Sequence, residues 1–170
     1  MESNPARTPL FAAILETAER YLHQLGFNQL VSVPSQRTGV DALLLEDVTV
    51  FIQISGSVQG GFLFTADPAF ARLLAKRFMV DPICDLEAAQ YAVEVVAEVS
   101  NVIAGNALNA GEDQTVFLGN PLMILSRSMG IRAAVYEVQT YTADQGLFRC
   151  FFIPMMDKTE LARVVMMQAE

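Results

Sequence analysis

Residues 85–109 are the stretch around which the rest of this chain is organised, because they read as one long helix. Asp85 is placed to cap it, since its carboxylate can accept a backbone N–H of the first turn. Glu87 follows in that turn, where the helix dipole favours a negative charge. At about 100° per residue the helix has two faces. Ala89, Ala92, Val93, Val96, Ile103, Ala104 and Ala107 fall on one side. Glu87, Tyr91, Glu94, Glu98, Asn101, Gly105 and Asn109 fall on the other, as a stripe of carboxylates and amides. Glu98 and Asn101 are three apart, so their side chains are neighbours on the surface. Gly105 lies one turn beyond Asn101, and a glycine in mid-helix costs roughly 0.5–1 kcal/mol relative to alanine. Two readings of it stand. It leaves a flat place that admits a partner's loop beside the carboxylate and amide, or it only eases close packing and begins the helix's end.

The flanking elements follow in order. Thr8 can cap a first helix and Pro9 suits its first position. Leu10, Phe11, Ile14, Leu15, Ala18, Tyr21, Leu22 and Leu25 recur at helical spacing until Gly26 ends the run. The segment 28–47 is ambiguous: Val31 and Val33 can open an edge strand, and 34–39 reads as a loop. Residues 48–56 and 61–65 alternate as a hairpin. Asp67 and Pro68 start a short helix to about Met79, with Phe70, Leu73, Leu74 and Phe78 on its apolar face. Beyond the long helix, 115–118 reads as a strand and 122–125 as an apolar run without assignment. A long strand is predicted over 132–142, turning at 144–146 into a central strand over 147–153. Asp157 caps a last helix, Glu160 completes a capping box, and Leu161, Val164, Val165 and Met166 or Met167 line its apolar side. Strands come in pairs rather than alternating with helices. The predicted class is α+β, a largely antiparallel sheet with long helices packed on one face. Residues 1–8 read as a flexible tail and 9–170 as a single domain.

Composition removes several function classes. A net charge of −8 with only Lys76 and Lys158 as lysines leaves no basic patch for nucleic acid or an anionic membrane surface. A partner with a positively charged or cation-bearing site fits better. No run of about 18 apolar residues offers a membrane span, and the first residues lack a secretory pattern. Cys84 and Cys150 make no disulfide framework, Cys150 reads as a buried thiol, and a cytoplasmic location is expected. His23 is the only histidine and sits in the first helix, so histidine catalysis is not indicated. Gly56, Gly60 and Gly61 match no phosphate-loop spacing. Glu94 and Glu98 are four apart, but carboxylate metal sites in helices pair Glu with His. No metal ligation by this chain is expected.

At Glu98-Val99-Ser100-Asn101 the sequence resembles the CheX-like members of the CheC/CheX/FliY phosphatases of bacterial chemotaxis. The motif is E-x-x-N on a long helix, then a small-residue run and, after a loop, a proline. Here that run is Val102-Ile103-Ala104-Gly105-Asn106-Ala107, with Pro121 downstream. The stretch 47–61 also looks like the family's first hairpin. The resemblance extends from about Leu10 to the end. A single E-x-x-N is present, which favours the CheX-like branch; the other helices offer Glu16 followed by Glu19, and Glu160 followed by Arg163.

The resemblance implies dephosphorylation of a phosphoaspartyl response regulator resembling CheY. Mg²⁺ would be held by the receiver's own acids, with no cofactor on this chain. Asn101 would orient the attacking water, being neutral and able both to donate and to accept. Glu98 would pair with a cation of the receiver, its lysine. Glu94, Gly105 and Pro121 would support partner binding. A homodimer is implied by the same likeness. Two other readings stand beside the enzyme: a non-catalytic receiver-binding adaptor on the same fold, and a structural domain in which Glu98 and Asn101 are merely a solvated helix face.

Overall fold

The computed structural model describes residues 8–33, 43–110, 115–125, 129–133, 135–143 and 146–167. Along the chain run helix α1 (Pro9–Gln24) and strands β1 (Val31–Val33), β2 (Leu43–Leu44), β3 (Val48–Gly56) and β4 (Gly60–Ala66). Helices α2 (Pro68–Phe78) and α3 (Asp85–Ala110) follow. Then come β5 (Val116–Leu118), β6 (Leu122–Leu125), β7 (Met129–Ile131), β8 (Glu137–Ala143) and β9 (Gly146–Pro154). Helix α4 (Lys158–Val164) and β10 (Val165–Met167) complete the order. The loop expected at 34–39 and most of the tail at 1–8 lie outside the described residues.

The main sheet runs β1-β8-β9-β4-β3, and β5 and β6 both pair with the far side of β3. Its strand pairs are antiparallel. Side chains alternate across it with period two. Val50, Ile52, Ile54, Phe62, Phe64, Phe148, Cys150 and Phe152 point to the face covered by α1, α2 and α3, where Phe11, Ile14, Phe70, Val96 and Ile103 complete the main core. The antiparallel α+β class with long helices on one face therefore holds. The opposite face is not bare, however. Phe51, Leu63, Phe151 and Ile153 project there and are buried with Leu45, Ile131, Met156 and Leu161. A small sheet, β10-β7-β2, and α4 supply that cover. Gly61 belongs to this arrangement: a Cβ on it would stand 2.1 Å from the Phe51 ring, so only glycine lets the ring lie against the strand.

The second layer accounts for two departures from the sequence reading. The strand expected over 132–142 is shorter: β8 starts only at Glu137 and joins the main sheet, while β7, which precedes the expected start, pairs with β2 and β10 in the small sheet. The last helix stops at Val164, and 165–167 form β10 rather than another helical turn. The unassigned run at 122–125 is β6, paired with β3 from Phe51 to Val48. The hairpin, the edge strand at Val31 to Val33 and the central β9 stand as expected.

Local caps were more legible than partners. Gly26 has φ +93°, and the bonds Gly26 N–H to His23 O and Phe27 N–H to Leu22 O close α1 as a Schellman motif. Thr8 occupies the cap position of α1 without a side-chain capping bond; its N–H donates to Glu137 Oε1 at 2.8 Å. Asp157 Oδ1 accepts from Glu160 N at 2.7 Å, whereas the Glu160 carboxylate pairs with Arg163. Asp67 caps α2 by accepting from Phe70 N at 2.8 Å, and its second oxygen accepts from Leu147 N at 3.1 Å. One carboxylate thus joins α2 to the start of β9. Replacing Asp67→Ala removes both bonds and leaves two half-buried donors, so stability should fall by about 2 kcal/mol, more than the roughly 1 kcal/mol of a simple exposed cap. Urea denaturation of the two proteins checks this.

Candidate functional site

Helix α3 begins differently from the sequence reading. Cys84, not Asp85, holds the cap position: Ala88 N–H donates to Cys84 O at 2.9 Å, and Cys84 N–H donates to Glu87 Oε2 at 2.9 Å. That bond holds the Glu87 carboxyl below its usual pKa. Asp85 lies in the first turn and pairs with Lys76 at the end of α2, which lowers its pKa likewise. The two helices are therefore fastened end to end where α3 starts.

The buried side of α3 is wider than the apolar list predicted. Ala88, Val95 and Val99 are buried along with Ala92, Val96, Ile103, Ala104 and Ala107, while Ala89 is exposed and Val93 half-buried. The reason is that α3 packs against α1, α2 and the sheet at once, so neighbours reach around it from several directions. Ser100 is also buried and its hydroxyl donates to Val96 O at 2.7 Å, which satisfies it within the helix.

The polar stripe remains outside. Glu87, Tyr91, Glu94, Glu98 and Asn109 are exposed; Asn101 and Gly105 are half-buried. Helix geometry places Asn101 about 4.5 Å along the axis from Glu98, and Gly105 about 6 Å further, all within one narrow sector. The stripe bears three carboxylates, Glu87, Glu94 and Glu98, and no cation. A Cβ built on Gly105 would meet nothing within 4 Å, and α3 continues to Ala110. Among the described residues, neither a packing contact nor the helix end explains that glycine. It leaves open backbone beside Asn101.

One neighbour of the stripe comes from another element. Tyr21 of α1 is half-buried, and its pKa is raised by burial and then by the negative charge of Glu98. The proximity of Tyr21 to Glu98 follows from how α1 crosses α3, and nothing in the sequence signals it. Pro121 is half-buried in the connection between β5 and β6 and is not part of the stripe. Glu94, Glu98, Asn101 and Gly105 thus share one face of α3, whereas Pro121 stands on a different element, between two strands that both touch α3. Among the described residues, no three His, Cys, Asp or Glu side chains gather as a metal site. A cleft of about 180 Å³ opens elsewhere, lined by Phe27, Leu73 and Arg77, and shares no residue with the stripe. Arg77 there serves the fold: it donates to Gly26 O and lies 4.7 Å over the Phe27 ring.

Residues 48–143 match the family described as Chemotaxis phosphatase CheX. The chain belongs to the CheX family. The matched segment contains the first hairpin, α2, the whole of α3 with Glu98 and Asn101, and the strands through β8. Solved structures agree on the fold. A CheX from Vibrio vulnificus is similar at 14% identity and TM-score 0.71, covering 86% of this chain and 99% of the other. A CheX from Desulfovibrio desulfuricans is similar at 19% identity and TM-score 0.68, with coverage of 86% and 99%. The CheX-CheY-BeF3-Mg complex of Borrelia burgdorferi is similar at 18% identity and TM-score 0.64, with coverage of 86% and 98%. No curated protein matches the sequence. Among the described residues no helix is long and apolar enough to cross a membrane.

The open surroundings of Gly105 in this CheX-family chain lead to a direct expectation. Gly105→Ala should raise stability by about 0.5–1 kcal/mol, because alanine restricts the unfolded chain and meets no clash in the helix. A rise in melting temperature checks it; a fall would show that the glycine serves the fold.

Proposed function

We propose that this chain hydrolyses the aspartyl phosphate of a CheY-like receiver domain, with Glu98 and Asn101 of α3 entering the receiver's site. The observation that carries this reading is the exposed Glu98 one turn from the half-buried Asn101, beside an open Gly105, in a chain of the CheX family. The similar Borrelia burgdorferi structure is a complex of CheX with CheY, BeF3 and Mg²⁺, which supports a receiver as the partner.

In the proposed reaction a water attacks phosphorus in line. The bond from phosphorus to the aspartyl oxygen breaks, releasing inorganic phosphate and the free carboxylate. Phosphoryl transfer depends chiefly on positioning and charge stabilisation. Mg²⁺ belongs to the receiver and supplies the charge stabilisation there. Asn101 supplies position: its amide oxygen accepts from the water and its NH₂ can donate, without a charge that would repel the phosphoryl oxygens. Glu98, one turn earlier, pairs with a cation of the receiver, which fixes the register of docking. Glu94 and Gly105 shape the same face, the first by its charge and the second by its lack of a side chain. Action on a receiver would place the chain in the cytoplasm.

A second copy of the chain is part of the proposal. Strands β5 and β6 form one edge of the main sheet, and there Phe117, Met123 and Leu125 are 63%, 47% and 64% exposed. Unpaired strand edges with apolar side chains favour pairing with another chain. Leu125→Lys should convert the expected dimer to a monomer in light scattering; unchanged mass would place self-association, if present, at another surface.

The decisive measurement is phosphate release from a panel of phosphorylated receiver domains. Wild type should accelerate release from at least one. Asn101→Ala should lose about 100-fold or more of that acceleration, the scale of misplaced catalytic geometry, while still binding the receiver. Binding without acceleration by wild type would leave a receiver-binding adaptor.

A further inference from the structure

Glu98 and Asn101 offer only two polar side chains, whereas a specific protein–protein contact buries about 800 Å² on each partner. A receiver must therefore touch more of this chain, and the inference that follows rests on the receiver reading above. The stripe contains one large side chain with an apolar body. Tyr91 is 46% exposed and precedes Glu98 by seven residues. In a helix that is nearly two full turns, about 10 Å along the axis and within about 20° of the same direction. Leu86, also exposed on α3, lies about 120° around the helix from Glu98 and so faces elsewhere. Tyr91 joins neither hydrophobic core cluster. Its neighbours along the stripe at i−4 and i+3, Glu87 and Glu94, are exposed carboxylates. From Tyr91 to Gly105 the stripe extends about 21 Å, a length suited to a protein footprint rather than to a single inserted pair.

We infer that Tyr91 is a specificity-determining anchor that holds the phosphorylated receiver, its ring covering the stem of a lysine or arginine on the receiver surface whose charge faces Glu94. The chemistry is complementary on two counts. An aromatic face attracts a cation within about 6 Å, and the adjacent carboxylates favour the same charge. A tyrosine also contributes a large rigid contact with few rotamers to immobilise. Tyr91 is too far from Glu98 along the helix to touch the reacting atoms. Its effect falls on holding the receiver and not on the chemical step.

The test uses the full chain and the receiver on which wild type acts. Affinity is measured by titration with that receiver loaded with beryllofluoride and Mg²⁺, and KM and kcat are measured with its phosphorylated form. Tyr91→Ala should weaken binding and raise KM about tenfold or more, as hot-spot aromatics do, with kcat within about twofold of wild type. Tyr91→Phe should keep affinity within about threefold, since the ring carries the contact. Thermal melting confirms that both variants are folded. Unchanged Kd and KM in Tyr91→Ala, or a fall confined to kcat, would overturn the anchor while leaving the receiver reading standing. Wild type that neither binds nor dephosphorylates any receiver in a full panel would overturn both.

Discussion

Phe51, Leu63 and Phe151 sit side by side across β3, β4 and β9 on one face of the sheet, and Ile52, Phe62 and Phe152 sit side by side on the other. This two-sided burial sets the rest of the structure. An antiparallel sheet can leave one face to water, but these strands carry large apolar side chains at successive positions and cannot. One face takes the three longer helices. The other takes α4 and the small sheet, for which the chain after β6 must leave the main sheet, form β7, and return as β8. The helix that carries the site is therefore seated on a platform supported from beneath.

That seating explains how α3 tolerates a stripe that contributes little to stability. Val95, Val96, Val99 and Ile103 are buried against the sheet and its neighbouring helices. Each contributes about 1.5–3 kcal/mol, so these four alone outweigh the roughly 1 kcal/mol that glycine costs in mid-helix. The exposed side is correspondingly free to hold residues chosen for something other than folding. Gly105 shows this most directly, since no contact among the described residues requires it.

Much of this was legible because it is local. The helical period of residues 85–109, the glycines around the first hairpin, Asp67 before Pro68 and Asp157 before the last helix each announce their structure within a few residues. The stripe from Glu87 to Asn109 was readable for the same reason: helix periodicity alone decides which side chains share a face. What was not legible depends on pairing at a distance. Residues 129–131 and 165–167 are strands because they pair with each other across the far face, and no local pattern in Val164-Val165-Met166-Met167 distinguishes a strand from a continuing helix. Tyr21 beside Glu98 is likewise a consequence of helix crossing. The shift of the cap from Asp85 to Cys84 has a subtler cause: Asp85 is drawn into an ion pair with Lys76, and Glu87 reaches back to the Cys84 amide instead.

The division of labour in the proposed reaction follows from what the stripe lacks. It presents carboxylates, amides and a tyrosine, with no nucleophilic thiol, no histidine and no cation of its own. Cys150 is buried within the sheet, where burial pushes its pKa up and keeps it in the thiol form, so it is no candidate nucleophile. A rigid helix can hold a neutral amide and a carboxylate at fixed separation, and little else. Such a pair cannot offset the charge of a phosphoryl group; in the proposed reaction that would come from the receiver's metal and lysine. It can supply geometry, which converts a diffusing water into a positioned one and can account for several kcal/mol of barrier. On the proposed reading such a unit would be incomplete alone and complete only on a surface whose cations match its carboxylates. Recognition and catalysis would then depend on the same helix face, and selectivity among receivers would require no separate site.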